Sequence, residues 1–307
     1  MTLSQKGTFE TVMFHYVRPN NDRDLPYLNS FDLDTFSNYV KQNKAKIFTQ
    51  DDILSLSNDK CSKEITKTIL LTFDDGLADH YRYVYSILKQ YGVSGIFFIN
   101  SKNIADGMMD SVHKLHYLYG RLGWARLVPI IQNLAVSKKI DLSRYYTIQL
   151  ATEAYELDEI EVACIKYALN HSMEQEARES FIDEVFNANF PMLDQASFYL
   201  SGANIQEMTL HGMVFGYHGH EHLPFASLTS EEVIKSISMQ NKLFDQLSLE
   251  RPSVLSFPYG DKSSYSISNL ETLSLCGISY AFSSDNFSIA GLSVRMLPRK
   301  DCTEILS

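Results

Sequence analysis

Two neighbouring carboxylates and a tight run of imidazoles, far apart along the chain, are the residues whose types and spacing can do chemistry. Asp74 and Asp75 stand in Thr72-Phe73-Asp74-Asp75-Gly76, and the imidazoles in Gly216-Tyr217-His218-Gly219-His220-Glu221-His222. Three of the nine histidines thus fall within five residues. Adjacent carboxylates repel each other, and a cation or a shared proton relieves them. A separation of four places His218 and His222 on one face of a helical turn. Two neutral imidazoles with one carboxylate make a three-ligand site that leaves a position open for water, as in catalytic zinc centres. His220, between them, is then expected to point away. A solvated histidine-rich loop is the bland alternative, and the Asp-Asp-Gly segment elsewhere in the chain weighs against it.

The flanking sequence says how such groups are held. Thr68 to Phe73 is an apolar strand, and Ala78 to Tyr91 has helical spacing at Val84, Ile87, Leu88 and Tyr91 before the stop at Gly92. Acids at a strand's C-terminal end, turned by glycine into a helix, lie where parallel α/β folds carry chemistry. Further strands are expected at Val12 to Tyr16, Ser94 to Ile99, Val214 to Tyr217, Val254 to Phe257 and Tyr280 to Ser283. Helices are expected at Leu33 to Gln42 (capped by Asp32 or Asp34), Ile205 to Leu210, Glu231 to Ser248 (capped at Ser230) and Ser266 to Cys276. This alternation predicts parallel strands closed into a barrel; six are named here, and the fold expected is an irregular (β/α)-barrel of seven. His15, Asp74, Asp75, His218, His222, Pro258 and Tyr259 all fall just past strand ends.

The barrel is expected to be discontinuous, 8–100 with 200–303, and 101–199 to form a mostly helical insertion serving as a lid or a dimer surface. Helical periodicity runs through Val112 to Leu134, with a break near Gly123 or Pro129, and through Leu157 to Leu169 and Glu174 to Phe186. His113 and His116 are expected on one helical face.

Net charge is −10 with a pI near 5.4, which argues against a nucleic-acid or anionic-membrane partner held by a broad basic surface. Cys61, Cys164, Cys276 and Cys302 are scattered with no CxxC pair, which fits a reducing compartment. No run approaches the ~20 apolar residues of a membrane span, and Met1 to Thr8 lacks a signal-peptide core. A cytoplasmic location is the expectation.

The motifs together resemble the polysaccharide deacetylases of carbohydrate esterase family four. Thr72 to Gly76 matches the family's first motif, and His218 to His222 is similar to its His-x-x-x-His pair, with Gly219 where Ser or Thr is usual. Ser256-Phe257-Pro258-Tyr259-Gly260 resembles the third motif in the branch that lacks the usual arginine. Val12 to Val17 resembles that branch's first strand, which carries a histidine. The resemblance implies that Asp75, His218 and His222 hold a divalent metal, zinc first, with cobalt, nickel or manganese also accepted. It implies Asp74 as general base, the Tyr259 backbone N–H as oxyanion donor and His15 as general acid. Pro258 and Arg299 would bind substrate, Arg299 alternatively orienting Asp74. The reaction implied is removal of an N-acetyl group from an amino sugar, for a cytoplasmic protein one that is nucleotide- or lipid-linked. An oligomer is compatible with all of this.

Two other readings stay open: hydrolysis of a non-sugar amide C–N bond, and a catalytically silent glycan-binding relative. Tyr117, Tyr119 and Trp124 would stack on a sugar or pack internally, the latter being favoured. Asp285-Asn286 lacks the acidic and tryptophan motif that usually tunes the base. Amidohydrolase barrels carry His-x-His on their first strand, and metallo-β-lactamase folds need His-x-His-x-Asp-His; neither fits.

Overall fold

The computed structural model describes residues 9–57, 66–285 and 293–306. Met1 to Thr8, Cys61 and Asn286 lie outside the described residues. The chain divides into two compact units, 1–20 with 30–108 and 195–307, and 21–29 with 109–194.

The first unit is built on eight parallel strands: β1 (Glu10–Phe14), β2 (Ile69–Phe73), β3 (Gly95–Ile99), β4 (Val214–Tyr217), β5 (Val254–Ser256), β6 (Tyr280–Ser283), β7 (Arg295–Pro298) and β8 (Lys300–Asp301). Their order is β8-β1-β2-β3-β4-β5-β6-β7. The two outer members of that order, β7 and β8, are consecutive in the chain with Arg299 alone between them. One extended pass therefore pairs with β6 through β7 and with β1 through β8, and nearly closes the barrel. Seven passes make eight strands. The barrel expected is the one found, with seven passes; the eighth strand arises because the final pass shifts partner at Arg299, whose N–H still donates to the Ser283 carbonyl at 2.8 Å.

Period-two alternation sorts the strand residues onto two faces. Leu71, Phe73, Phe97, Ile99, Leu255 and Ala281 pack with helical residues such as Phe36, Leu88, Ile237 and Leu273. Leu70, Ile96, Phe98, Val254, Tyr280 and Phe282 form a separate cluster without those helices, which lines the barrel interior. The Leu70 face continues through Thr72 to Asp74. Buried apolar strands of this kind need both faces covered, as parallel sheets do.

The helices begin where local chemistry starts them. Asp32 caps Leu33–Asn43 by accepting from the Thr35 N–H. Thr229, not Ser230, caps Ser230–Gln246, in a capping box with Glu232. Ser266 forms the same box with Asn269 for Ile267–Leu275.

The segment after Asp75 is not uniformly α-helical. A π-helical turn, His80–Val84, precedes the α-helix Tyr85–Tyr91. It buries His80 between Phe73 and Phe97, with Nε2 donating to the His15 carbonyl at 3.0 Å. Burial pushes the His80 imidazole down to about 4, although the His15 carbonyl pulls the other way. A histidine depressed in the fold is protonated first in the unfolded chain. Stability is therefore expected to fall as pH drops from about 6.5 to about 4, by up to about 3 kcal/mol. Urea titrations at pH 7 and 4.5 check this, and His80→Gln should flatten that pH dependence.

In the second unit, the helices Ser111–Leu122 and Trp124–Ser137 are separated at Gly123. Pro129 is tolerated inside the second of them. Tyr119 stacks on Trp124 at 5.2 Å and Lys166 covers the indole at 5.1 Å. Tyr117 meets Phe186 and Phe190 edge-on. These rings pack against their own unit. His113 is buried 3.1 Å from Asp110, and its ring contacts His116 on the same helix. Among the described residues no helix is long and apolar enough to cross a membrane.

Candidate active site

Each candidate side chain arrives from the C-terminal end of a barrel strand: His15 after β1, Asp74 and Asp75 after β2, His218 and His222 after β4, Pro258 and Tyr259 after β5. Asp75, His218 and His222 converge although the acid and the imidazoles are more than a hundred positions apart. The Asp75 Oδ1 lies 3.3 Å from His218 Nε2 and 3.3 Å from His222 Nε2, and one ligand atom from each residue lies within 4.8 Å of the others.

This donor set fits a divalent ion. His218 Nδ1 donates to the Ser256 carbonyl at 2.9 Å, so in the neutral ring Nε2 carries the lone pair. That lone pair faces a carboxylate oxygen, and two acceptors in contact need a cation or a proton between them. Tetrahedral bonds of about 2.0–2.1 Å give ligand–ligand edges of about 3.3–3.4 Å, which is the spacing of the two edges that Asp75 makes. Burial alone would depress the His218 imidazolium, but Asp74, Asp75 and the Ser256 carbonyl outweigh it and the net direction is upward. The surroundings favour positive charge at this point.

The loop is not the helical turn that the His-x-x-x-His spacing suggested. Residues 218–222 bend through left-handed backbone at Gly219 (φ 79°) and His222 (φ 53°). Gly219 stands where a side chain would be strained, so the departure from Ser or Thr suits this loop's path. Of five non-glycine residues with positive φ among the described residues, three are Asp75, His222 and Tyr259. Such strain collects at functional sites, at a cost of order 1–3 kcal/mol each. The backbone of His218 is fixed on both sides. Its N–H meets Gln240 Oε1 at 3.2 Å, and its carbonyl accepts from Asn100 Nδ2 at 2.5 Å.

Asp74 stands beside this cluster and is held by a fork. Arg299 Nη1 and Nη2 donate to its two oxygens, each at 2.7 Å, and Ser256 Oγ lies 3.3 Å from Oδ2. Arg299 is itself buried, above the Phe98 ring. Burial raises the Asp74 carboxyl, but Arg299, His218 and His15 together hold it down at about 2. Arg299 is thus committed to Asp74, the geometry of an orienting group rather than of a substrate ligand. His15 Nε2 and His218 Nε2 each lie 4.0 Å from Asp74 Oδ2, and the His15 side chain is 40% exposed.

Tyr259 is half-exposed, its ring 5.1 Å from His222; Pro258 precedes it at the end of β5. His220 turns elsewhere, with Nδ1 2.8 Å from Ser101 Oγ. Sequence reasoning missed the supporting roles of Ser256, Asn100 and Gln240. For Ser256 and Asn100 a signal existed, since both sit at or just past the C-terminal end of a barrel strand.

Parallel strands that carry a carboxylate–imidazole cluster and an arginine-held acid at their C-terminal ends define the class: a barrel enzyme scaffold with a candidate metal centre. The polysaccharide deacetylase family profile matches residues 62–121 and 177–280, more than half of the chain, and the protein belongs to that family. Among curated proteins, YxkH of Bacillus subtilis (strain 168), named as a polysaccharide deacetylase, is 30% identical over 94 residues. That match covers 30% of this chain and 32% of YxkH. Two solved structures are similar over nearly their whole length. The Streptococcus pyogenes deacetylase PplD in complex with acetate is 14% identical, covering 96% of this chain and 93% of its own, with a TM-score of 0.55. A de-N-acetylase from Aggregatibacter actinomycetemcomitans is 12% identical, covering 95% of both chains, with a TM-score of 0.53. At these identities the likeness is one of fold.

Proposed function

We propose that the protein is a metal-dependent hydrolase that removes the N-acetyl group of an amino sugar, in a polymer or on a nucleotide or lipid carrier. One observation carries this reading: the ligand atoms of Asp75, His218 and His222 converge beside a buried carboxylate that takes no part in that convergence. A pure binding site has no use for the second acid. The names of the similar proteins, deacetylases in each case, support the same chemistry.

Asp75, His218 and His222 hold the ion in this reading, zinc first, with cobalt, nickel or manganese as alternatives. When bound, the ion would supply Lewis acidity, lowering the pKa of a water from about 16 toward about 7. Asp74 would act as the general base through Oδ2, the oxygen facing His15 and His218. Arg299 keeps the carboxylate ionised and aimed. The Tyr259 backbone N–H donates to the oxyanion of the tetrahedral intermediate. His15 delivers a proton to the leaving nitrogen, and His80 fixes the peptide from which it projects.

The test is acetate release from a panel of N-acetylated amino sugars, free, polymeric and nucleotide-linked, with metal-loaded and chelator-treated protein. Release that survives chelation removes the metal reading, and turnover of simple amides alone removes the sugar. His15→Ala gives a second check. An amide needs its leaving nitrogen protonated, whereas nitrophenolate leaves unaided. The variant should lose about 10²-fold or more on the sugar amide and little on 4-nitrophenyl acetate. Equal losses on both would reassign the acid.

A further inference from the structure

We propose that Ser256 is a positioning residue that joins the metal-ligating half of the site to its base; this rests on the reading of Asp74 given above. Ser256 ends β5 inside the barrel and is fully buried. Its carbonyl accepts from His218 Nδ1 at 2.9 Å and so sets the rotation of the ring whose Nε2 faces Asp75. Its hydroxyl oxygen accepts from Arg299 Nη2 at 2.9 Å, and its one hydroxyl proton points to Asp74 Oδ2 at 3.3 Å. Arg299 Nη2 donates to that same Oδ2 at 2.7 Å. Two donors thus occupy one side of the oxygen and direct its remaining lone-pair space toward the 4.0 Å gap that separates it from His218 Nε2. A single residue holds both edges of that gap, through its peptide on one side and its side chain on the other. Ser256 thus touches Asp74, Arg299 and a candidate metal ligand together.

The two contacts can be separated, because Ser256→Ala deletes the hydroxyl and keeps the carbonyl. The probes are Zn(II) affinity by chelator competition and hydrolysis of 4-nitrophenyl acetate, which needs no sugar contacts. Ser256→Ala is expected to lower kcat about ten- to a hundredfold, the loss for a hydrogen bond to a charged group, with KM unchanged and Zn(II) affinity within about twofold. Because the hydroxyl acts through Arg299 and Asp74, Ser256→Ala should add nothing to Arg299→Lys; coupled residues depart from additivity in this way. Ser256→Thr, which restores a hydroxyl, should recover most of the rate. Wild-type kcat in Ser256→Ala, full additivity with Arg299→Lys, or no recovery with a folded Ser256→Thr would each overturn the assignment. Asp74→Asn separates the two levels. If it is inactive while Ser256→Ala is unaffected, only the role of Ser256 falls; if it is fully active, or the wild type turns nothing over, the base assignment falls first.

Discussion

Asp74→Asn is expected to reduce turnover about 10²- to 10⁴-fold, the range for loss of a positioned general base, while the protein still binds Zn(II). The two adjacent acids separate in this test because they face different partners. Asp75 Oδ1 sits against both imidazoles, so Asp75→Asn should lose affinity for the ion as well as rate. Asp74 sits against Arg299 and Ser256, so its amide variant leaves the three ligand atoms where they are. Stoichiometric Zn(II) content with turnover near background is the expected signature. Near-wild-type turnover in a folded Asp74→Asn protein would remove the base from the mechanism.

Arg299→Met carries the second large effect, and it is read in stability as well as rate. Removing one partner of a buried ion pair strands the other, typically at a cost of about 3–5 kcal/mol. Here the stranded group is a carboxylate whose burial favours the protonated form once the guanidinium is gone. The acid side of the stability curve should change with it. In the native protein the Asp74 carboxyl is depressed from 3.8 to about 2. Its contribution is therefore present above about pH 4 and lost as pH falls toward 2. Without Arg299 that loss should disappear, and the variant should instead weaken as pH rises past the ordinary carboxylate range. Urea unfolding at several pH values measures both. Arg299→Lys retains the charge but not the two-pronged geometry, and should recover stability more fully than turnover.

Much of this is legible in the amino-acid sequence. The strand ends could be read because buried parallel strands are short apolar runs bounded by glycine and polar residues, as at Thr68 to Gly76. Tyr280–Ser283 agrees residue for residue. The convergence of Asp75 with His218 and His222 was expected from the family resemblance, and the placement of all three past C-terminal strand ends agreed with it. What was not legible depended on partners distant in sequence. The last pass of the barrel escaped notice because Arg295–Pro298 is four residues long and ends in proline, while Lys300–Asp301 is only two. The fork from Arg299 to Asp74 spans more than two hundred positions and no periodicity reports such a contact, so it stood only as one of the two roles that the resemblance implied for Arg299. The His218–His222 loop was misread as a helical turn because spacing alone does not encode the positive φ of Gly219 and His222.

The closing pass of the barrel has a consequence for how the molecule switches off. Arg299, whose guanidinium pairs with Asp74, is the residue between the half-strand facing β6 and the half-strand facing β1. Any breathing that parts this seam also withdraws the counter-charge of Asp74, so if Asp74 is the base proposed above, activity should fall silent well before the helices melt. Catalytic rate would then serve as a gauge of ring integrity, failing at lower denaturant than circular dichroism reports.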